Sequence, residues 1–122
     1  MNIYVATKNN LVGVVLTGTH NKIYMFKAFQ TETTDKDTQT LLATQRAVGF
    51  ALGNKVLYAG NDINLYTEDN VDLDKLRSNE YLSRYNLPIN KREAVTDEEK
   101  HHLRLAHSEI DLRFVRWNGY SR

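Results

Sequence analysis

The chain has 122 residues, enough for one compact domain and too few for two. Sixteen Lys and Arg against fifteen Asp and Glu leave a net charge of +1, well short of the strongly basic balance of dedicated nucleic-acid binders. No 18-residue apolar run is present, which excludes a helical membrane span, and no cysteine is present, which excludes disulfide scaffolds, thiol nucleophiles and Cys-based metal sites.

The opening Met1-Asn2-Ile3-Tyr4-Val5-Ala6 lacks the apolar core and small-residue cleavage site of a secretory signal, so a cytoplasmic location is expected. Residues 3–6 are β-rich and lead into a turn at Thr7-Lys8-Asn9-Asn10. Leu11-Val12-Gly13-Val14-Val15-Leu16 reads as a buried strand, Gly18-Thr19-His20-Asn21 as a second turn, and residues 23–29 as a third strand. Turns this short imply an antiparallel meander. Asp37 is the expected N-cap of a helix whose apolar positions are Leu41, Leu42, Val48 and Leu52, with Ala43, Ala47 and Ala51 between them. Gly53-Asn54 closes that helix. Residues 56–59 read as a fourth strand, joined through the helix by a right-handed crossover, so the sheet is mixed. A weaker helix follows over residues 71–85, with Leu73, Leu76 and Leu82 on one side. Thr96 with Glu99 three residues later forms a capping box, opening a helix with Leu103, Ala106 and Ile110 on its core face. Residues 112–117 alternate and read as the last strand. The order β-β-β-α-β-α-α-β predicts an α/β or α+β domain around one sheet.

Charge is segregated along the chain. Residues 1–30 carry Lys8, Lys22 and Lys27 and no acid, while residues 61–82 carry six acids against Lys75 and Arg77. After Asp111 come Arg113, Arg116 and Arg122 with no acid. Aromatic residues, among them Tyr24, Phe26, Trp117 and Tyr120, interleave with Lys22, Lys27, Arg113 and Arg116. Such a pattern suits either core packing or a stacking platform for single strands. Trp117, Tyr120 and Arg122 together are also residue types that anchor protein interfaces.

Metal and nucleophile patterns are weak. His101, His102 and His107 are not at the three- or four-residue spacing that paired helical ligands need, and no His-Glu-x-x-His occurs. His107, Ser108 and Asp111 are triad residue types, but no Gly-x-Ser-x-Gly elbow supports them. No metal site and no catalytic group is assigned from the residues alone.

The element order resembles the ribonuclease H-like fold. Ile3-Tyr4-Val5-Ala6 resembles the first strand of that family, with Ala6 where the family has an Asp. Asp37-Thr38-Gln39-Thr40-Leu41-Leu42-Ala43 resembles its helix start, with Thr40 in place of a Glu. Asn61-Asp62-Ile63-Asn64-Leu65 resembles the end of its fourth strand, so that Asp62, or Asn61 under a one-residue shift, takes the third carboxylate position. Phe114-Val115-Arg116-Trp117-Asn118-Gly119-Tyr120-Ser121 resembles the closing strand and its Gly-His-Ser turn, which leaves the final helix and its Asp missing.

Two-metal phosphodiester hydrolysis needs several carboxylates to hold two Mg²⁺ about 4 Å apart. The resemblance therefore implies a domain that keeps the scaffold and has lost the chemistry: a non-catalytic module with no cofactor. It would bind a protein or a nucleic acid through Lys22, Lys27, Arg113, Arg116, Trp117, Tyr120 and Arg122. The alternative is a minimal nuclease using Mg²⁺ at Asp62 with Asp35, Asp37 or His107. A missing helix would expose sheet surface and favour a homodimer. Twelve Asn and eleven Thr suit a phage or mobile-element protein.

Overall fold

A computed structural model describes residues 1–18, 20, 22–55, 62–85 and 87–118, without the side chains of 114–118. Its five strands are β1 (Asn2–Lys8), β2 (Leu11–Thr17), β3 (Ile23–Gln30), β4 (Ile63–Thr67) and β5 (Ile89–Arg92). They form one sheet in the order β3-β2-β1-β4-β5. The first three pair antiparallel, and β4 and β5 run parallel to β1. The helices are α1 (Lys36–Gly53), α2 (Leu73–Arg77), α3 (Glu80–Arg84) and α4 (Asp97–Asn118).

The central strand β1 is buried over Ile3, Tyr4, Val5 and Ala6 because helices cover both faces of the sheet. Ile3 and Val5 join Val12, Val14 and Leu16 in the core under α1. Tyr4, Ala6 and Val15 pack with Leu103, Ala106 and Ile110 of α4. The covering face of α1 is made of small side chains: Ala43, Ala47 and Ala51 are fully buried, while Leu41, Leu42 and Leu52 sit at its flanks. Spacing of four residues puts the three alanines on one stripe, and their size lets the helix lie close to β1 and β2. α4 crosses the other face, over β1, β2 and β3. Gly13 is where its backbone comes down on the sheet, since a Cβ there would stand 2.0 Å from the Ala106 carbonyl oxygen.

The mixed sheet, the meander and α1 agree with the sequence reading; several boundaries differ. β1 runs on to Lys8 and the turn is Asn9-Asn10, with Asn9 at φ 56°, a conformation asparagine tolerates. The N-cap of α1 is Asp35, two residues before the expected Asp37; its carboxylate accepts from the Thr38 amide. The expected strand at 56–59 lies outside the described residues, and the fourth strand in the structure is Ile63–Thr67. The helix expected over 71–85 is two short helices, α2 and α3, each started by its own cap, Asp72 and Asn79.

The end of the chain needs the largest correction. The fifth strand is Ile89–Arg92, and residues 112–117 belong to α4, so the closing helix expected to be missing is present. The capping box at Thr96 starts it, with the Thr96 hydroxyl accepting from the Glu99 amide at 3.1 Å and Glu99 accepting from the Thr96 amide at 3.0 Å. With the α4 face covered, the argument for a dimer through a bare sheet face falls away.

Candidate functional site at the carboxyl ends of the central strands

β1 and β4 are parallel, so their carboxyl ends lie together and the chain turns there into the loops most open to chemistry. The register aligns Val5 with Thr67, which places Thr7 beside Asp69. The Thr7 hydroxyl donates to the Asp69 carboxylate at 2.7 Å. The Lys91 ammonium donates to the Asp69 carbonyl at 2.9 Å from the neighbouring strand β5. Glu68, one residue earlier, pairs with His107 of α4 at 3.5 Å. The start of α1 closes the other side: Asp37 accepts from the Asp72 amide at 2.9 Å and pairs with Lys75 at 3.5 Å. The Thr38 hydroxyl, then its amide, hold the Asp35 carboxyl below the usual carboxylate range.

Behind this rim lies a buried polar column between sheet and α4. Tyr4 and Tyr66 stack at 4.6 Å, and the His102 ring lies 5.1 Å from Tyr4. The Tyr66 hydroxyl donates to Glu99 at 2.9 Å, so the capping carboxylate also fastens α4 to β4. Burial, then the bond and proximity to Glu99, push the Tyr66 hydroxyl up to about 12. The amide bonds from Thr96 and Val95 hold Glu99 below its ordinary value. Burial, reinforced by His101, pushes His102 down. Its Nδ1 is buried without a hydrogen-bond partner among the described residues.

The donors do not fit a pair of magnesium ions. Ala6 is buried against α4, and Thr40 is buried on α1. Asp69 is already engaged by the Thr7 hydroxyl. Among the described residues no three His, Asp or Glu side chains come close enough to hold a metal ion. Two divalent cations crowded together require several carboxylates to offset their charge.

Asp62 precedes β4, and its carbonyl accepts from the amino terminus at 3.1 Å. It therefore stands at the amino end of the strand, while Glu68 and Asp69 stand at the other, about 16 Å along five residues. Of the residues offered as its helpers, Asp35 caps α1, Asp37 is bound to Asp72 and Lys75, and His107 is bound to Glu68. The sequence reading set Asp62 at the end of the fourth strand, and the structure sets it at the start of β4. Asn61 lies outside the described residues.

Lys22 and Lys27 both lie exposed along the edge strand β3, Lys22 with its ammonium 5.3 Å above the Tyr24 ring. Arg113 reaches the same strand from α4, 3.5 Å from the Ala28 carbonyl. Arg116 and Trp117 fall on the last turns of α4; their side chains, with Tyr120 and Arg122, lie outside the description. The sequence reading missed Arg46, whose guanidinium lies 4.2 Å over the Phe29 ring at the end of β3. Its position on the polar flank of α1 was the available signal. It also missed Thr7, Asp69 and Lys91, whose meeting depends on strand register and on no local motif.

No protein-family model and no curated protein sequence matches the chain. Among solved structures it is similar to the RNase H1 of the halophilic archaeon Halobacterium salinarum NRC-1, at 15% identity and a TM-score of 0.52, over 90% of this chain and 95% of that one. The mixed five-stranded sheet, with its antiparallel and parallel pairs and its helices, agrees with that likeness. This chain has a ribonuclease H-like fold.

Proposed function

We propose that the chain is a nucleic-acid-binding module on a ribonuclease H-like scaffold, one that holds its partner without cutting it. The observation that carries this reading is the donor set at the carboxyl ends of β1 and β4. Ala6 and Thr40 are neutral, and Asp69 is satisfied by the Thr7 hydroxyl. Hydrolysis through two metal ions has too few ligands there.

Nucleic acid is favoured over protein as the partner by the basic character of β3, where Lys22 and Lys27 are joined by Arg46 and Arg113. A cytoplasmic setting and a phage or mobile-element origin accord with the composition. The test is one panel of single strands, duplexes and hybrids, with and without Mg²⁺ or Mn²⁺. Binding that weakens with salt and leaves every substrate intact is the expected result. Divalent-dependent cleavage abolished by Asp69→Asn overturns the non-cutting half. Silence across the whole panel overturns the nucleic-acid half in favour of a protein partner.

A further inference from the structure

We propose that the exposed flank of β3 is a single-strand channel, with Lys22, Lys27 and Arg46 taking successive phosphates; this rests on the nucleic-acid reading above and adds where the strand lies. β3 is an edge strand, paired with β2 and with no other described strand. α1 covers β1 and β2, and leaves the outer flank of β3 to solvent except where Arg46 reaches Phe29. Along that flank the side chains alternate between cations and rings. Lys22 lies over Tyr24, Lys27 follows, and Arg46 lies over Phe29.

The two ring contacts orient the cations and expose their outer faces. A guanidinium held flat on Phe29 is a surface on which a base can stack, as well as a phosphate donor. Phe26, 55% exposed, alternates with Lys27 and, paired with Val15, lies on the α4 face of the strand, outside this row. At the Arg46 end the flank opens into a hollow of about 440 Å³ between β3 and α1.

Geometry and charge both favour a single strand. The cations form one row along eight residues, about 26 Å of strand. That suits one backbone of a few nucleotides; a duplex would present two backbones across a groove. The acids Glu68, Asp69, Asp72, Asp74 and Glu80 lie on or after β4, at the other side of the sheet order. Lys75, Arg77, Arg84, Lys91 and Arg92 offset those acids, so what singles out the β3 edge for a polyanion is its exposed row of cations, with Glu32 the acid in the adjoining hollow. No base-edge reader is built into the row, so the expected binding is tolerant of sequence.

The test is anisotropy titration of a labelled single strand of about 12 nucleotides and of the matching duplex, between about 50 and 200 mM salt. Three phosphate contacts predict a log–log salt slope of about −2 and a loss of about 20-fold across that range. Lys22→Ala, Lys27→Ala and Arg46→Ala should each bring the slope to about −1.4. Phe26→Ala, on the other face of the strand, should leave affinity and slope unchanged. Lys75→Ala and Arg84→Ala, on α2 and α3, should change nothing.

Single-strand binding that ignores all three cation substitutions overturns this surface and leaves the proposed function standing. Tighter binding of the duplex overturns the single-strand assignment. No binding at the lowest salt overturns both. A dimer that Phe26→Glu dissolves, with no nucleic acid bound, assigns the edge to a second copy and overturns the proposal as well.

Discussion

Gly13→Ala separates packing from propensity at one atom. In a strand interior alanine is ordinarily the better residue, by roughly 0.5–1 kcal/mol, so propensity alone predicts a gain. The structure predicts a loss. The new Cβ would stand 2.0 Å from the Ala106 oxygen and 2.8 Å from its carbonyl carbon, with Ile110 Cγ1 at 3.2 Å. Ordinary contact begins near 3.4 Å, so α4 must lift by about 3.4 − 2.0 = 1.4 Å or β2 must sink as far. The two closest atoms are backbone, and no rotamer change relieves them. Lifting α4 loosens Leu103, Ala106 and Ile110 from Tyr4 and Val15 along the same seam. Overpacking against an element that cannot adjust costs about 3 kcal/mol, several times the propensity gain. An unfolding entropy of about 0.26 kcal/mol/K for 122 residues turns this into a fall of about 12 °C in Tm. Differential scanning calorimetry of wild type, Gly13→Ala and the control Gly53→Ala, whose Cβ would meet nothing, reads it directly. A Gly13→Ala protein melting within about 2 °C of wild type would show that α4 is not seated as described.

Two further outcomes follow from single side chains. Gln39 is fully buried, and its Nε2 donates to Asn9 O, Thr31 Oγ1 and Thr33 O, tying the first hairpin to the loop before α1. Gln39→Leu should cost about 2–3 kcal/mol in urea unfolding and speed amide exchange at residues 9–10 and 31–33; unchanged exchange there would refute the tie. His102 is held neutral in the fold by burial, whereas the unfolded chain takes up a proton below about pH 6.5. Its contribution is therefore complete above that pH and is lost as the pH falls through the depressed folded value, so Tm should drop on acidification from pH 6.5, and His102→Gln should flatten that part of the profile.

What could be read before folding was whatever is encoded locally. The meander shows in runs of β-branched residues with short turns, and α4 announces its start through Thr96 and Glu99. β5 was illegible because Ile89-Asn90-Lys91-Arg92 is one apolar residue followed by three polar ones. It is a solvated edge strand that a parallel neighbour recruits, and its lysine and arginine discourage further pairing. Residues 112–117 misled for the converse reason. Their alternation satisfies a strand, yet Ile110, Phe114 and Trp117 are also at helical spacing, and a helix already running from Asp97 costs little to extend.

The site was half legible, and the missing half explains its chemistry. That Ala6 and Thr40 are not acids is plain in the sequence. That Thr7 supplies the hydrogen bond Asp69 needs is visible only once β1 and β4 are in register, sixty-two residues apart. Several carboxylates facing one another without a cation repel, and a site built that way is under strain until metal arrives. Here the acids are dispersed to separate partners: Asp69 to a hydroxyl, Glu68 to His107, Asp37 to Lys75 and a backbone amide. Among the described residues these acids thus meet a hydroxyl, an imidazole, an ammonium and a backbone amide, and the non-cutting reading proposed above rests on that arrangement.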